Sequence, residues 1–293
     1  MIRFLLSLLI CCAVAVSTVH GQPATLDLDG LETIDHQVAF DFYRSRFSSV
    51  GDFNFMFVGN INHKDLQKYI EQYIAPLPKG KAPAKPIDRG VRFNQTAVRQ
   101  HVYRGQDDKC TVQLMFPATT IRNYNESQKI TALSMTMTFL LLEMVREEAS
   151  GVYMIQSFPQ IAMAPHPEVV ISVYFQCDPS RVDELIEIVE QQIQTIKDNT
   201  FDEKFLTNFQ EGYKNQIEQV IRQNFLWVSI LHNYFISEGI MKQNDLLNFA
   251  NGLDHFTAAD ISEAARKYID FEKMMTVILF QDPDLVEDTE DEE

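Results

Sequence analysis

Leu140-Leu141-Leu142-Glu143-Met144-Val145-Arg146-Glu147-Glu148-Ala149-Ser150-Gly151-Val152-Tyr153 is the stretch on which the reading of this chain turns. An apolar helix runs into a charged end and breaks at Ser-Gly, with Arg146 and Tyr153 flanking the break. Upstream, apolar residues fall at Ile130, Leu133, Met137, Leu141 and Met144, the period of a buried helical face. The opposite side carries Ala132, Met135, Phe139, Leu140 and Leu142, so the helix is expected to be covered on most sides. A guanidinium at the open end of such a helix can be held by carbonyls or carboxylates and still face a cavity. The simplest structural reading pairs Arg146 with Glu143 or Glu147 and packs Tyr153 on a sheet. Glu147 and Glu148 do not face each other, which argues against an acid/base pair.

Working downstream, the break leads into two predicted strands, Val152 to Ala164 and Val169 to Phe175, paired around Pro165-His166-Pro167. His166 reads as an exposed turn residue rather than a ligand. Asp178 with Pro179 behind it is a helix start. That helix has a core face of Val182, Leu185, Ile186, Val189, Ile193 and Ile196. Thr200 and Glu203 suggest a capping box for the next helix. Asn224 to Ile240 is expected to continue helically, with Phe225, Trp227, Leu231 and Phe235 inward. Thr257 with Asp260 caps a last helix to Tyr268, and Met274 to Phe280 closes as a strand.

Upstream of the central helix, Asn125 and Gln128 predict its cap, and strands are expected at Arg99 to Arg104 and Thr111 to Phe116, the latter ended by Pro117. The pattern is α+β: a mostly antiparallel sheet with helices on one face. Earlier still, Asp35 to Phe47 reads as a helix, Phe53 to Val58 as a strand and His63 to Tyr73 as a helix. Residues 76–95 form a Pro/Lys linker. A strand with no mate in the preceding chain is an aggregation hazard unless something covers it.

Residues 1–21 have one early cation and an apolar run too short for a membrane span, as in a secretory signal peptide. Cleavage after Ala15 or after Gly21 fits, the later site being favoured. The expected location is secreted or periplasmic, with no membrane span. Net charge is -16, but residues 282–293 hold eight of the acidic groups and read as a disordered acidic tail. This balance disfavours nucleic acid as a partner. Cys110 and Cys177 lie outside the leader; they could pair in an oxidising compartment, although two buried thiols is the favoured reading. The sequons at Asn94 and Asn125 read as chance occurrences.

These segments, in this order, resemble the C-terminal half of the insulinase/pitrilysin family of zinc metallopeptidases. The resemblance covers roughly residues 31 to 282. It is carried by Phe42-Tyr43-Arg44-Ser45-Arg46-Phe47, Phe53 to Asn60, Arg146 to Tyr153, Phe175-Gln176-Cys177-Asp178-Pro179 and Asn224-Phe225-Leu226-Trp227. It implies that residues 96–281 form an insulinase-peptidase-like domain, and residues 31–75 an incomplete βα piece of a preceding one. It also implies that Arg146 and Tyr153, seven positions apart, contact peptide substrate across a closed chamber. In that family zinc is held by an H-x-x-E-H motif and a distant glutamate. The seven histidines here, His20, His36, His63, His101, His166, His232 and His255, are too far apart to form it. The resemblance thus implies no catalytic residue, metal ligand or cofactor in this chain, with zinc in the family's other half.

Three functions are expected on this reading. The first is a non-catalytic, substrate-contacting portion of a zinc peptidase, working with a zinc-bearing half or subunit. The second is an extracytoplasmic peptide-binding protein without proteolysis. The third is a remnant of a longer peptidase gene. No phosphate-binding glycine loop, Ser/His/Asp set or CxxC pair supports another chemistry.

Overall fold

The structure, a computed structural model, describes residues 34–80, 87–94, 96–148, 154–162, 166–237, 239–247 and 253–284, with backbone alone at 52, 145–148 and 247. The predicted leader, residues 81–86 of the linker and residues 285–293 of the acidic tail lie outside the described residues.

Five strands form one sheet in the order β1-β5-β2-β4-β3. They are β1 (Val98–Gly105), β2 (Cys110–Thr119), β3 (Ile155–Ala162), β4 (Glu168–Cys177) and β5 (Met275–Gln281). β1 and β5 are parallel and the other three pairings antiparallel. Period-2 alternation sets the faces. Val112, Leu114 and Phe116 of β2 and Val169, Ile171, Val173 and Phe175 of β4 join the main core under the helices. Met115, Val170, Met275 and Val277 form a second cluster, against which Phe93 and Val102 pack.

α3 (Tyr124–Glu148) is the central helix, and Ile130, Ala132, Leu133, Met137, Leu140 and Leu141 are buried along it. It touches β3 and three helices, α4 (Val182–Lys197), α5 (Lys204–Val220) and α8 (Ala258–Tyr268). α4 buries the six residues its periodicity marks out, from Val182 to Ile196. Each such side chain contributes about 2 kcal/mol when taken from water. α8 carries the full Thr257–Asp260 capping box.

Several local expectations are corrected. Asn123, not Asn125, caps α3, its Oδ1 accepting from the Glu126 N–H at 3.0 Å. Asp202, not a Thr200–Glu203 box, starts α5 by accepting from the Lys204 N–H at 2.9 Å; Thr200 instead bonds back to the Thr195 carbonyl. β2 runs through Pro117 to Thr119. Its ladder with β5 ends at Met115, so on that side the missing proline N–H is not needed. The expected helix after α5 is interrupted: α6 (Asn224–Ile236) begins after a turn. Leu226, Trp227, Ile230 and Tyr234 face a small cluster with Ile217 and Met241. Phe225 and Phe235, expected inside, are exposed. A five-residue helix, α7 (Gln243–Leu247), follows.

The N-terminal segment is built differently. α1 (His36–Phe47) starts where Asp35 Oδ1 accepts from the N–H groups of Gln37 and Val38. α2 (His63–Tyr69) starts at Asn62 and ends in a π-turn, Ile70–Ile74. Neither helix buries a residue. Phe53 to Val58 is not a strand: among the described residues nothing pairs with it, and an extended segment without a mate makes no ladder. Its rings stack locally instead, Tyr43 on Phe47 at 4.6 Å and Phe47 on Phe53 at 5.9 Å.

Candidate functional site

The backbone of Arg146 lies in the last turn of α3, where unpaired carbonyls favour a cation. Its side chain, and all of Tyr153, lie outside the described residues. What the structure does describe is how the elements bearing them are held. The Thr138 hydroxyl, two turns before Arg146, accepts from the Ser157 N–H at 2.8 Å and lies 3.1 Å from the Ser157 carbonyl. This latch ties α3 to β3 just beyond Tyr153. Ile155 then anchors the start of β3 in the core opposite Phe175. Glu143, one of the partners the sequence suggests for Arg146, pairs with Lys204 of α5 at 2.7 Å. Lys204 also lies over the Phe205 ring.

At the other end of α3 the structure assembles a cluster that sequence reasoning missed. Glu126 Oε1 accepts from Lys267 Nζ at 2.5 Å and from the Tyr268 hydroxyl, which also lies 3.2 Å from Thr120 Oγ1. The Glu126 side chain is only 13% exposed. Burial raises its pKa, but the Lys267 and Tyr268 hydrogen bonds outweigh that and hold it below the usual carboxylate value. These groups staple α8 to α3. A structural role fits this arrangement better than a catalytic one.

The described residues do not fit a zinc site. Among the described residues no group of three or more His, Cys, Asp or Glu side chains is placed to hold a metal ion. His101 packs edge-on against Phe280, His255 Nε2 lies 3.1 Å from Asn125 Oδ1, and His166 is half-buried in a bend rather than exposed. A shallow pocket of about 170 Å³ lies at the β3–β4 end, lined by Phe93, Gln160, Ile161, Ala162, Glu168, Val169 and Val170. It is smaller than the ~300–1,000 Å³ of ordinary ligand sites. Among the described residues no helix is long and apolar enough to cross a membrane.

The five-stranded sheet and the helices packed against it form an α+β domain. Residues 33–212 match the model of the peptidase M16 inactive domain, and the chain belongs to that family. It is 26% identical over 257 residues to the "Probable zinc protease PqqL" of Haemophilus influenzae, covering 86% of this chain and 26% of that protein. The chain thus spans about a quarter of the length of the curated relatives it matches. The solved periplasmic protease PqqL of Escherichia coli shares the fold with a TM-score of 0.74 and 17% identity, over 92% of this chain and 30% of that one. A peptidase M16 inactive domain from Pseudomonas fluorescens gives 0.73 and 15%, over 93% and 65%.

Proposed function

We propose that this chain supplies the non-catalytic, substrate-contacting side of an M16-type zinc peptidase, acting in peptide hydrolysis with a half or subunit that bears the zinc. The observation that carries this reading is the unequal burial of an inactive-domain chain. Phe40, Phe42, Tyr43, Phe47, Phe53, Phe55 and Phe57 are all exposed on residues 34–60, a density of rings suited to covering by a partner. Arg146 would hold a peptide carbonyl or carboxylate, and Tyr153 would donate a hydrogen bond near the scissile group. Zinc would come from the other half, and the leader-like residues 1–21 support work outside the cytoplasm.

The test is to purify the chain alone and assay metal content and peptide cleavage, then identify what comigrates with it in an extract of its source. The expected result is no stoichiometric zinc and no cleavage alone, together with a complex containing an H-x-x-E-H protein. In that complex Arg146→Ala should lower kcat/KM roughly a hundredfold. Chelator-sensitive cleavage by the homogeneous chain alone would overturn the proposal.

The second reading, peptide capture without proteolysis, draws on β3 as an edge strand with the small pocket at its end. Peptide binding by the isolated chain, with no zinc-bearing partner in the extract, would favour it. Neither partner nor peptide binding would leave the remnant reading.

A further inference from the structure

We infer that Cys110 and Cys177 are a disulfide site, joined as the chain folds in the presence of a disulfide donor. β2 and β4 pair with Cys110 directly opposite Cys177, and the two sulfur atoms are 3.4 Å apart. Opposed residues of an antiparallel ladder have Cα atoms about 4.5 or 5.5 Å apart. Both spacings lie inside the roughly 4.4–6.8 Å range of disulfides. Closing the bond therefore takes side-chain rotation and a small approach of the sulfurs, with no rebuilding of the strands. The pair also sits at the first residue of β2 and the last of β4, where the ladder is free to adjust.

Burial sets the order of events. Cys110 is 0% and Cys177 1% exposed, both inside the main core. The contact between the two sulfurs pushes the Cys177 thiol above its usual range and the Cys110 thiol below it, but both sulfurs are enclosed, and an enclosed thiol does not reach an external disulfide. Exchange thus belongs to the folding chain. One cysteine thiolate attacks the donor disulfide, such as oxidised glutathione, forming a mixed disulfide and releasing one donor thiol. The second cysteine thiolate then displaces the other donor thiol and closes the Cys110–Cys177 bond. The two cysteines lose two protons and two electrons, and the donor disulfide is reduced to two thiols. Once the sheet has closed, the same burial shields the bond from reductant. The bridge would link residues 67 positions apart, a loop long enough to constrain the unfolded chain strongly.

The test is to refold the full chain in a buffer of reduced and oxidised glutathione, quench with acid, digest without reductant and map the peptides by mass spectrometry. The expected product links the peptide bearing Cys110 to that bearing Cys177, with neither alkylated by iodoacetamide in denaturant before reduction. Its unfolding midpoint should lie roughly 10 °C above that of the same chain reduced. A C110A/C177A double variant, which keeps two small apolar side chains at the site, should lose the dependence on oxidant. The inference is overturned if the folded product yields both thiols to alkylation after denaturation. It is equally overturned if these cysteines are found linked to Cys11 or Cys12, or if the midpoint ignores oxidation.

Discussion

Residues 34–77 and residues 98–281 carry comparable aromatic and aliphatic side chains, yet treat them in opposite ways. In the second region α3 and α4 bury full apolar faces in one core shared with the sheet. In the first, α1 and α2 bury nothing, and Phe42 is 62% exposed. The difference teaches that an apolar pattern becomes a core only when a second layer exists to receive it. Phe53, Phe55 and Phe57 have β-strand character, but no described strand lies beside them. Their rings stack on near neighbours instead.

The sharpest way to break this comparison is to truncate one apolar side chain on each side. Leu141→Ala should cost about 2–5 kcal/mol of stability in denaturant unfolding, because the side chain is fully buried between helices and sheet. Phe42→Ala should leave the midpoint of the isolated chain unchanged and weaken only partner binding. Equal stability losses at the two positions would mean that residues 34–60 have a core of their own.

The Glu126 cluster offers the next largest effect. Glu126→Gln should cost about 1–3 kcal/mol at neutral pH by weakening the bonds to Lys267 and Tyr268. Because the folded-state pKa is lowered, the carboxylate's contribution is fully present above its ordinary value of 4.5 and disappears as pH falls through the folded value. The midpoints of wild type and E126Q should therefore converge in acid, which a pH series of urea titrations would read. Removing the cap with Asn123→Ala should cost about 1 kcal/mol, checked the same way. The smallest effect is expected at Lys204→Ala: its pair with Glu143 is exposed on both sides, and the unfolding midpoint should not move measurably.

The sequence offers candidate residues at one end of α3 and is silent on the cluster at the other. Arg146 and Tyr153 stand out because a buried helix, a charged end and a Ser-Gly break are consecutive, and the family resemblance gives that spacing a meaning. The Glu126–Lys267–Tyr268 staple left no such mark, since its members are separated by more than 140 positions and Glu126 looks like any first-turn acid. The Thr138–Ser157 latch was equally invisible, Thr138 being one of several hydroxyl residues along the helix, with Thr131, Ser134 and Thr136.

By itself the sequence determined what depends on neighbours in the chain: the 3.6-residue period of α3 and α4, the box at Thr257 and Asp260, the alternation in β2, and the absence of an H-x-x-E-H motif. Tertiary structure decided what depends on which elements meet. It let Pro117 stay in a strand that had already lost one neighbour, gave Phe53 to Val58 no partner among the described residues, and turned Phe225 and Phe235 outward. It also set the β2–β4 register that places Cys110 opposite Cys177. Hydrogen-bond caps and helical periods are satisfied within a few residues, whereas strand pairing and burial are satisfied only by distant segments.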